Sequence, residues 1–180
     1  MESVMKNQNQ ARKKRSPAPW WYQAKSPCEM KIVQFRECPV KTEAFLGPQQ
    51  IAGFWHKHVV TAQWFCNFKE CLCVFLLNAR HNIMGFELVS LGTLDTLQFH
   101  ARDVFRSAIV GSAEAIIIAH NHPSGDPMPS EADIKMTRDL IHAGMLLRIK
   151  VLDHIVIGSA IGKRQNEFKS LRALGYFSAL

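Results

Sequence analysis

The chain has 180 residues, of which 47% are hydrophobic and 21% charged, a composition that predicts one folded domain with a substantial core. Its longest apolar run, residues 71–77, is far too short to cross a membrane, and no apolar segment follows the basic N-terminal residues as it would in a secretory signal. The net charge of +7 is concentrated in residues 1–36, which carry eight Lys and Arg against two Glu, so the rest of the chain is nearly neutral.

The N-terminal segment is polar, basic and interrupted by Pro and Ser. We therefore predict a disordered tail over residues 1–30 and a folded domain over residues 31–180, with a first strand at residues 31–36. A basic run in the tail permits weak contact with nucleic-acid phosphates, although a solvated arm is the favoured interpretation. This run consists of Arg12, Lys13, Lys14 and Arg15.

The five cysteines are odd in number and include no Cys-x-x-Cys pair, which argues against a disulfide scaffold and against a zinc ribbon. Cys71 and Cys73 alternate along a predicted strand, so we expect them to be small buried hydrophobic residues. A reducing compartment, the cytoplasm, is the expected location.

The first half of the domain shows both helical and extended patterns. Apolar spacing predicts a helix over about residues 49–60. Strands are predicted at about residues 70–78 and 83–92, and the short turn between them predicts a hairpin. Residues 101–110 have helical spacing, and Gly111 fits the C-terminal cap of that helix.

The second half begins with an unbroken β-branched run over residues 114–120, which predicts a central strand buried on both faces. A helix over about residues 131–145 is expected to end near Gly144, and a last clear strand follows at residues 149–158. The C-terminal residues give weaker signals, with a short strand or a turn near Tyr176–Phe177. The mixture of strands and helices predicts an α/β sandwich around a central sheet.

The segment between the central strand and the next helix carries the residues with metal-binding chemistry. His120 and His122 lie where the strand ends, and alternate side chains of an extended backbone point the same way. A loop rich in Pro and Gly leads from them to Asp133. Two imidazoles and a carboxylate are a common ligand set for catalytic zinc, which leaves one position to water and lowers the pKa of that water from 15.7 to about 7.

A structural interpretation of the same residues stays open. Ser130 and Asp133 at the start of a helix also match a capping box, in which the serine is the N-cap. A single histidine at a strand end is more often a hydrogen-bonded structural group than a ligand. The roles can coexist, because a hydroxyl can accept one hydrogen bond while it donates another, so Ser130 can cap the helix and still stabilise a developing oxyanion.

The pattern His-x-His-x7-Ser-x2-Asp over residues 120–133 resembles the zinc signature of the JAMM (JAB/MPN-type) metallopeptidases. The fuller string HNHPSGDPxPSxAD, followed by a helix and then residues 151–158, is similar to the bacterial RadC-like branch of that family. The stretches at residues 78–82 and 87–95 also resemble this branch, and the resemblance covers residues 45–180.

This resemblance implies a cytidine-deaminase-like α-β-α sandwich with a mixed central sheet flanked by helices. It also implies an MPN-type site with one zinc ion, which is held by His120, His122 and Asp133 with water as the fourth ligand.

JAMM catalysis also uses a glutamate on an earlier strand as general acid and base. The resemblance of the Glu-x4-Gly-Thr-Leu-Asp stretch assigns this role to Glu87. In the same reaction we expect Ser130 and the zinc ion to stabilise the oxyanion. Glu87 lies between Phe86 and Leu88, where burial or a nearby metal would tune the pKa of its carboxyl group for proton transfer. The alternative is a glutamate on the outward face of the strand.

The chain departs from the family pattern in two places. RadC-like proteins typically carry an N-terminal DNA-binding domain of the helix-hairpin-helix type, whereas only a short basic tail precedes the body here, which weakens an inherited role in DNA binding. Ala101 stands where the family usually has a proline, and its neighbours His100 and Arg102 are given no site role. Asp153 and His154 match the family and are predicted to be structural or supporting groups.

We therefore expect a zinc-dependent hydrolase, a metallopeptidase that cleaves a peptide or isopeptide bond in a peptide or protein substrate. The alternative is a RadC-like module associated with DNA repair or DNA binding, with little or no peptidase activity. An HNH nuclease is disfavoured because such nucleases spread those residues over a ββα element. A nucleic-acid deaminase is disfavoured because its H-x-E and P-C-x-x-C motifs are missing.

Overall fold

The structure is a computed structural model, and it describes residues 45–92, 100–158 and 167–177. These residues all belong to the larger of two units into which the chain divides, Glu37–Leu180. The predicted tail, its basic run and the first predicted strand lie outside the described residues, so the tail and its nucleic-acid contact stay predictions.

A five-stranded mixed sheet forms the middle of the domain. Its strands are β1 (Cys71–Leu77), β2 (Ile83–Leu91), β3 (Ala115–Asn121), β4 (Lys150–Ile157) and β5 (Phe168–Ser170). They lie in the order β2-β1-β3-β4-β5, in which β3 and β4 run parallel and the other neighbours are antiparallel. β3 therefore occupies the centre, between an antiparallel partner and a parallel one.

Helices cover both faces of this sheet. They are α1 (Pro48–Phe54), which continues as a π-helical turn (Trp55–Val59), α2 (Ala101–Val110) and α3 (Glu131–Leu147). α1 and the π-helical turn pack on one face, and α2 and α3 pack on the other. The predicted α-β-α sandwich is thus confirmed. Within the described ranges, no helix combines the length and the apolar character needed to cross a bilayer.

Alternate residues of the central strands build two separate cores. Phe75 and Ile117 contribute to the core under Trp55, whereas Val74 and Ile118 contribute to the core under α2 and α3. All seven residues of β3 are buried, which confirms the prediction of a central strand that is covered on both faces.

The end of α3 differs from the prediction. The helix passes Gly144 and continues to Leu147, and it ends at Arg148, whose φ of 56° lies in the left-handed region. Gly144 instead permits close approach, because a Cβ atom there would lie 2.5 Å from the backbone oxygen of Ile149. The glycine therefore serves the packing of α3 against the chain that leads into β4.

In the C-terminal region, the turn that was one of the two predicted alternatives is confirmed. The signal near Tyr176–Phe177 corresponds to a turn over residues 171–177, and the last strand, β5, precedes that turn. β5 has only three residues, too few for an alternating pattern to identify it.

Candidate metal centre

The two histidines of the motif meet at the end of β3. His120 is the sixth residue of the strand, and the backbone N–H of His122 donates to Ile157 O at 3.0 Å, which extends the parallel pairing past the end of β3. The extended backbone turns both imidazoles to the same face, and their Nε2 atoms lie 3.0 Å apart. The structure thus brings together the two predicted imidazole ligands.

Asp133 reaches these histidines from the first turn of α3. Its Oδ1 lies 3.2 Å from Nε2 of His120, and its Oδ2 lies 3.4 Å from Nε2 of His122. The aspartate is buried, whereas the His122 side chain is 17% exposed, so the group opens to solvent on the His122 side.

Ser130 is the N-cap of α3, and with Asp133 it forms the capping box that the sequence allowed. Its Oγ accepts from the backbone N–H of Asp133 at 3.2 Å and donates to Oδ2 of the same residue at 2.6 Å. The backbone N–H of Ser130 also donates to that Oδ2, at 2.7 Å. One residue pair therefore caps the helix and fixes the carboxylate that faces the histidines.

The glutamate that lies with this group is Glu70, which immediately precedes β1. Its Oε1 lies 3.5 Å from Nε2 of His120, and its side chain is 15% exposed. One potential ligand atom from each of Glu70, His120, His122 and Asp133 lies within 4.8 Å of all the others. Sequence reasoning missed Glu70, because its position depends on the antiparallel pairing of β1 with β3, in which Leu72 is opposite His120.

The structure does not bring Glu87 to this group. Glu87 is in the middle of β2, where it is paired with Val74, and Val74 is in turn opposite Ile118 on β3. Its Oε1 accepts a hydrogen bond at 3.0 Å from the guanidinium of Arg106 on α2. Two strand spacings and two residues along β3 thus separate it from His120. The acid and base role that the resemblance gave to Glu87 stays a prediction.

Asn121 connects Glu70 to the histidine pair. It lies between His120 and His122 in sequence, and its side chain points to the other face of the sheet. Its Oδ1 accepts from the backbone N–H of Cys71 at 3.0 Å, and its Nδ2 donates to the backbone oxygen of Lys69 at 3.0 Å. One amide side chain therefore holds the backbone on both sides of Glu70.

The outer nitrogen of His122 indicates which tautomer this ring adopts. Its Nδ1 lies 2.8 Å from the backbone oxygen of Asp126. Because a carbonyl oxygen can only accept, Nδ1 carries the hydrogen, and in the neutral ring Nε2 keeps its lone pair toward Asp133.

Burial and neighbouring charges together shift the pKa values of three residues in this group. Burial alone would raise the pKa of Asp133, but the hydrogen bonds that His120 and His122 donate to it when their Nε2 atoms are protonated outweigh burial and hold the pKa far below its usual range. Burial raises the pKa of Glu70, although the two histidines oppose this. Burial would lower the pKa of His122, but Asp133 and the Asp126 carbonyl raise it overall.

This donor set fits a divalent cation. Two Nε2 lone pairs at 3.0 Å repel each other unless a proton or a cation lies between them, and a carboxylate is directed to the same point. Imidazole nitrogen and carboxylate oxygen together are ligands typical of zinc and of neighbouring transition metals. His120, His122 and Asp133 can supply three ligands, which leaves a position beside Glu70.

His154, predicted to be a supporting group, contacts the metal-site residues from β4. Its ring is fully buried, and its Nε2 lies 2.8 Å from Nδ1 of His120. Burial lowers its pKa well below the usual range, and the positive charge of a protonated His120 would add to this effect. His154 is therefore neutral at physiological pH. Asp153 does not face this group: its carboxylate accepts from Ser170 Oγ at 2.7 Å and from two backbone N–H groups.

Comparison with known proteins agrees with the resemblance. Residues 46–176 match the family described as RadC-like JAB domain. A UPF0758 protein of Caldanaerobacter subterraneus subsp. tengcongensis is 46% identical over 109 residues, 61% of this chain and 44% of that protein. One from Desulforudis audaxviator is 45% identical over 109 residues, which is 61% of this chain and 45% of that protein.

A UPF0758 protein of Symbiobacterium thermophilum is 53% identical over 85 residues, which is 47% of this chain and 36% of that protein. These names state no activity. The chain spans less than half the length of these curated relatives. Since the family match covers more than two thirds of the chain and contains every residue of the candidate site, the chain belongs to the RadC-like JAB domain family.

Proposed function

We propose that this chain is a zinc-dependent hydrolase that cleaves a peptide or isopeptide bond, with Glu70 as general acid and base. The observation that carries the proposal is the convergence of four potential ligand atoms within 4.8 Å, two from imidazoles and two from carboxylates. The packing of a protein core does not require such a group. Buried polar side chains normally lie beside complementary hydrogen-bond partners, whereas here several lone-pair-bearing atoms are directed toward one another.

The three ligands would be His120, His122 and Asp133. A zinc ion bound by them would supply a water that loses its proton near neutral pH, and it would polarise the carbonyl group of the substrate. The protein contributes the fixed geometry of these ligands, since His120 lies in the central strand and Asp133 is held by the cap of α3.

Glu70 would take the proton of the attacking water and pass it to the leaving amine. Its Oε1 lies 3.5 Å from Nε2 of His120, close enough to hydrogen-bond a water molecule placed beside that nitrogen. Burial raises the pKa of its carboxyl group toward the range in which one group can both accept and donate a proton near neutral pH.

Ser130 would assist at the substrate oxygen. Its hydroxyl hydrogen is directed to Oδ2 of Asp133, and rotation about the Cβ–Oγ bond would turn that hydrogen toward a substrate oxyanion while Oγ stays in place as the helix cap. Asp133 would keep the backbone N–H of Ser130 as a donor during that rotation.

Metal analysis of three full-length proteins tests the site. We expect about one zinc in the wild type, loss of zinc in His122→Ala, and retention of zinc in Glu70→Gln. Loss of zinc in Glu70→Gln would make Glu70 a fourth protein ligand and the site a closed structural one. A wild type that binds no zinc, and whose thermal stability a chelator does not change, would contradict the proposal.

A peptide-library cleavage screen then tests the reaction class. The wild type loaded with zinc should cleave a subset of peptides, and Glu70→Gln loaded to the same zinc content should not. Equal cleavage by both proteins would remove Glu70 from the reaction.

A further inference from the structure

A chain of hydrogen bonds lies behind His120, on the side away from the other three potential ligands. Nδ1 of His120 is 2.8 Å from Nε2 of His154, and Nδ1 of His154 is 2.7 Å from Oγ1 of Thr137. The same Oγ1 is 2.6 Å from the backbone oxygen of Asp133. The side chains of His120, His154 and Thr137 come from β3, β4 and α3, and all three residues are fully buried.

The hydroxyl of Thr137 determines which atom donates and which accepts in each of these hydrogen bonds. A hydroxyl has one hydrogen, and the backbone oxygen of Asp133 can only accept, so at 2.6 Å the hydrogen of Oγ1 must point to that oxygen. Oγ1 then has no hydrogen for His154, and it can only accept from Nδ1 of that ring. Nδ1 of His154 therefore carries a hydrogen.

The hydrogen on Nδ1 of His154 also determines which ring donates in the hydrogen bond between His154 and His120. The ring is fully buried and lies against another imidazole, an environment in which an imidazolium is strongly disfavoured. A neutral ring with its hydrogen on Nδ1 has a lone pair on Nε2, so it can only accept from Nδ1 of His120. His120 then holds its hydrogen on Nδ1, and in its neutral form its Nε2 is free.

We propose that Thr137 and His154 are positioning residues that fix His120 in the tautomer whose Nε2 is available to a cation. The inference rests on the proposed function, since the cation is the reason that the tautomer matters. The series of contacts also returns to Asp133, because Oδ1 of Asp133 lies 3.2 Å from Nε2 of His120, the atom left without a hydrogen. The backbone of one ligand thus sets the protonation pattern of another.

The two ligand histidines depend on different parts of the fold. Nδ1 of His122 is held by the carbonyl of Asp126, four residues further along the same loop. Nδ1 of His120 is held by His154, 34 residues away, and through it by α3. A change at Thr137 should therefore affect His120 and leave the ring of His122 as it is.

Nuclear magnetic resonance of the full-length protein, labelled with 15N at histidine, reads the tautomers directly. We expect His154 to be neutral with its hydrogen on Nδ1, both without a cation and with zinc. His154→Gln identifies its signals by their loss. A hydrogen on Nε2 of His154, or on both nitrogens, would overturn the inference. This result does not depend on zinc binding, so it remains decisive if the wild type binds no zinc and the proposed function fails.

Two variants that differ in whether they keep the hydroxyl test the consequence for the cation. Thr137→Val removes the hydroxyl at constant shape, and Thr137→Ser keeps it. We expect zinc affinity, measured by competition with a chelating dye, to fall by about 10- to 100-fold in Thr137→Val and to stay near the wild-type value in Thr137→Ser. Wild-type affinity in a folded Thr137→Val protein would overturn the inference. If that variant does not fold, the tautomer of His154 in the wild type decides.

Discussion

Oε1 of Glu70 lies 3.5 Å from Nε2 of His120. Glu70 immediately precedes β1, His120 lies near the end of β3, and these two strands are antiparallel neighbours. Glu87, in contrast, is paired with Arg106 on α2. The substitutions Glu70→Gln and Glu87→Gln therefore make a matched pair. We expect Glu70→Gln to keep its zinc and to lose cleavage by about 10²- to 10⁴-fold, because a positioned acid and base contributes that much.

Glu87→Gln should keep both zinc and cleavage near wild-type values. The comparison is made on the best substrate of the peptide screen, at equal zinc content. The reverse outcome, in which Glu87→Gln is inactive and Glu70→Gln is active, would return the role to the residue that the sequence resemblance selected.

Asn121→Ala should reduce cleavage while it leaves zinc affinity within a few-fold of the wild type. The substitution removes the amide that holds the backbone at Lys69 and Cys71, and the two histidine ligands keep their own hydrogen bonds. Stability should fall by about 1–3 kcal/mol, since buried backbone groups lose their partners. Denaturant unfolding, zinc competition and cleavage rates measure the three effects.

Asn78→Ala is the control for Asn121→Ala. The amide oxygen of Asn78 accepts from the backbone N–H groups of Arg80 and Asn82 in the β1–β2 turn, at the opposite end of β1 from Glu70. This variant should lose stability with no change in cleavage. Equal losses of cleavage in both variants would mean that lower stability, and not the position of Glu70, causes the effect.

Ser130→Ala should lower stability by about 1 kcal/mol, because the N-cap of α3 is lost. If the hydroxyl serves the oxyanion, cleavage should also fall by about 10²-fold or more. Ser130→Thr keeps a hydroxyl and should retain most of both properties. Full activity in a zinc-loaded Ser130→Ala protein would leave Ser130 with the capping role alone.

The stability of the protein should respond to pH in opposite directions with and without zinc. The folded-state pKa of His122 is raised above its ordinary value of 6.5. Its contribution to the stability of the metal-free protein is therefore fully present below about pH 6.5 and is lost as the pH rises through the folded-state pKa. Zinc binding requires the neutral ring, so zinc should stabilise the protein increasingly over the same rise in pH.

Thermal unfolding between about pH 6 and pH 8, with zinc and with chelator, checks this prediction. The difference between the two melting temperatures should widen as the pH increases. In His122→Ala the difference should be small at every pH. A difference that narrows as the pH rises would contradict a site in which protons and zinc compete for His122.

Two glycines test the packing of the helices. Gly144→Ala places a Cβ atom 2.5 Å from the backbone oxygen of Ile149, so the chain must shift, and we expect a loss of about 1–3 kcal/mol. Gly53→Ala in α1 meets no atom within 4 Å and should gain about 0.5–1 kcal/mol from helix propensity. Denaturant unfolding measures the change in the free energy of unfolding for both variants, which should be a loss for Gly144→Ala and a gain for Gly53→Ala. Equal changes would contradict the close approach at Gly144.

The metal-ligand motif could be predicted from sequence because its information is local. Two residues that are two apart on a strand must face the same way, and a capping box fixes the side chain at the third position of the next helix. His120, His122 and Asp133 therefore come together through a strand, a rigid loop and one helical turn, all within 14 consecutive residues.

Glu70 could not be found in the same way. It lies 50 residues before His120, and the pairing of β1 with β3 that unites them joins strands that are not consecutive in sequence. Glu87 lies in a stretch that looks like the family, but its level in the sheet is that of Ile118. Tertiary register, which a local pattern does not encode, brings Glu70 and not Glu87 next to His120.

β1 begins directly after Glu70 with Cys71, and both Cys71 and Cys73 turn their thiols to the core under α1, across the sheet from His120. Burial raises the pKa of both thiols, so they stay protonated. The sulfur atoms of these two cysteines are soft donors on the strand next to the site, but they lie on the opposite face of the sheet and cannot bind a cation there. The centre should accordingly discriminate against thiophilic ions such as cuprous copper, and it should accept cobalt or manganese in exchange for zinc.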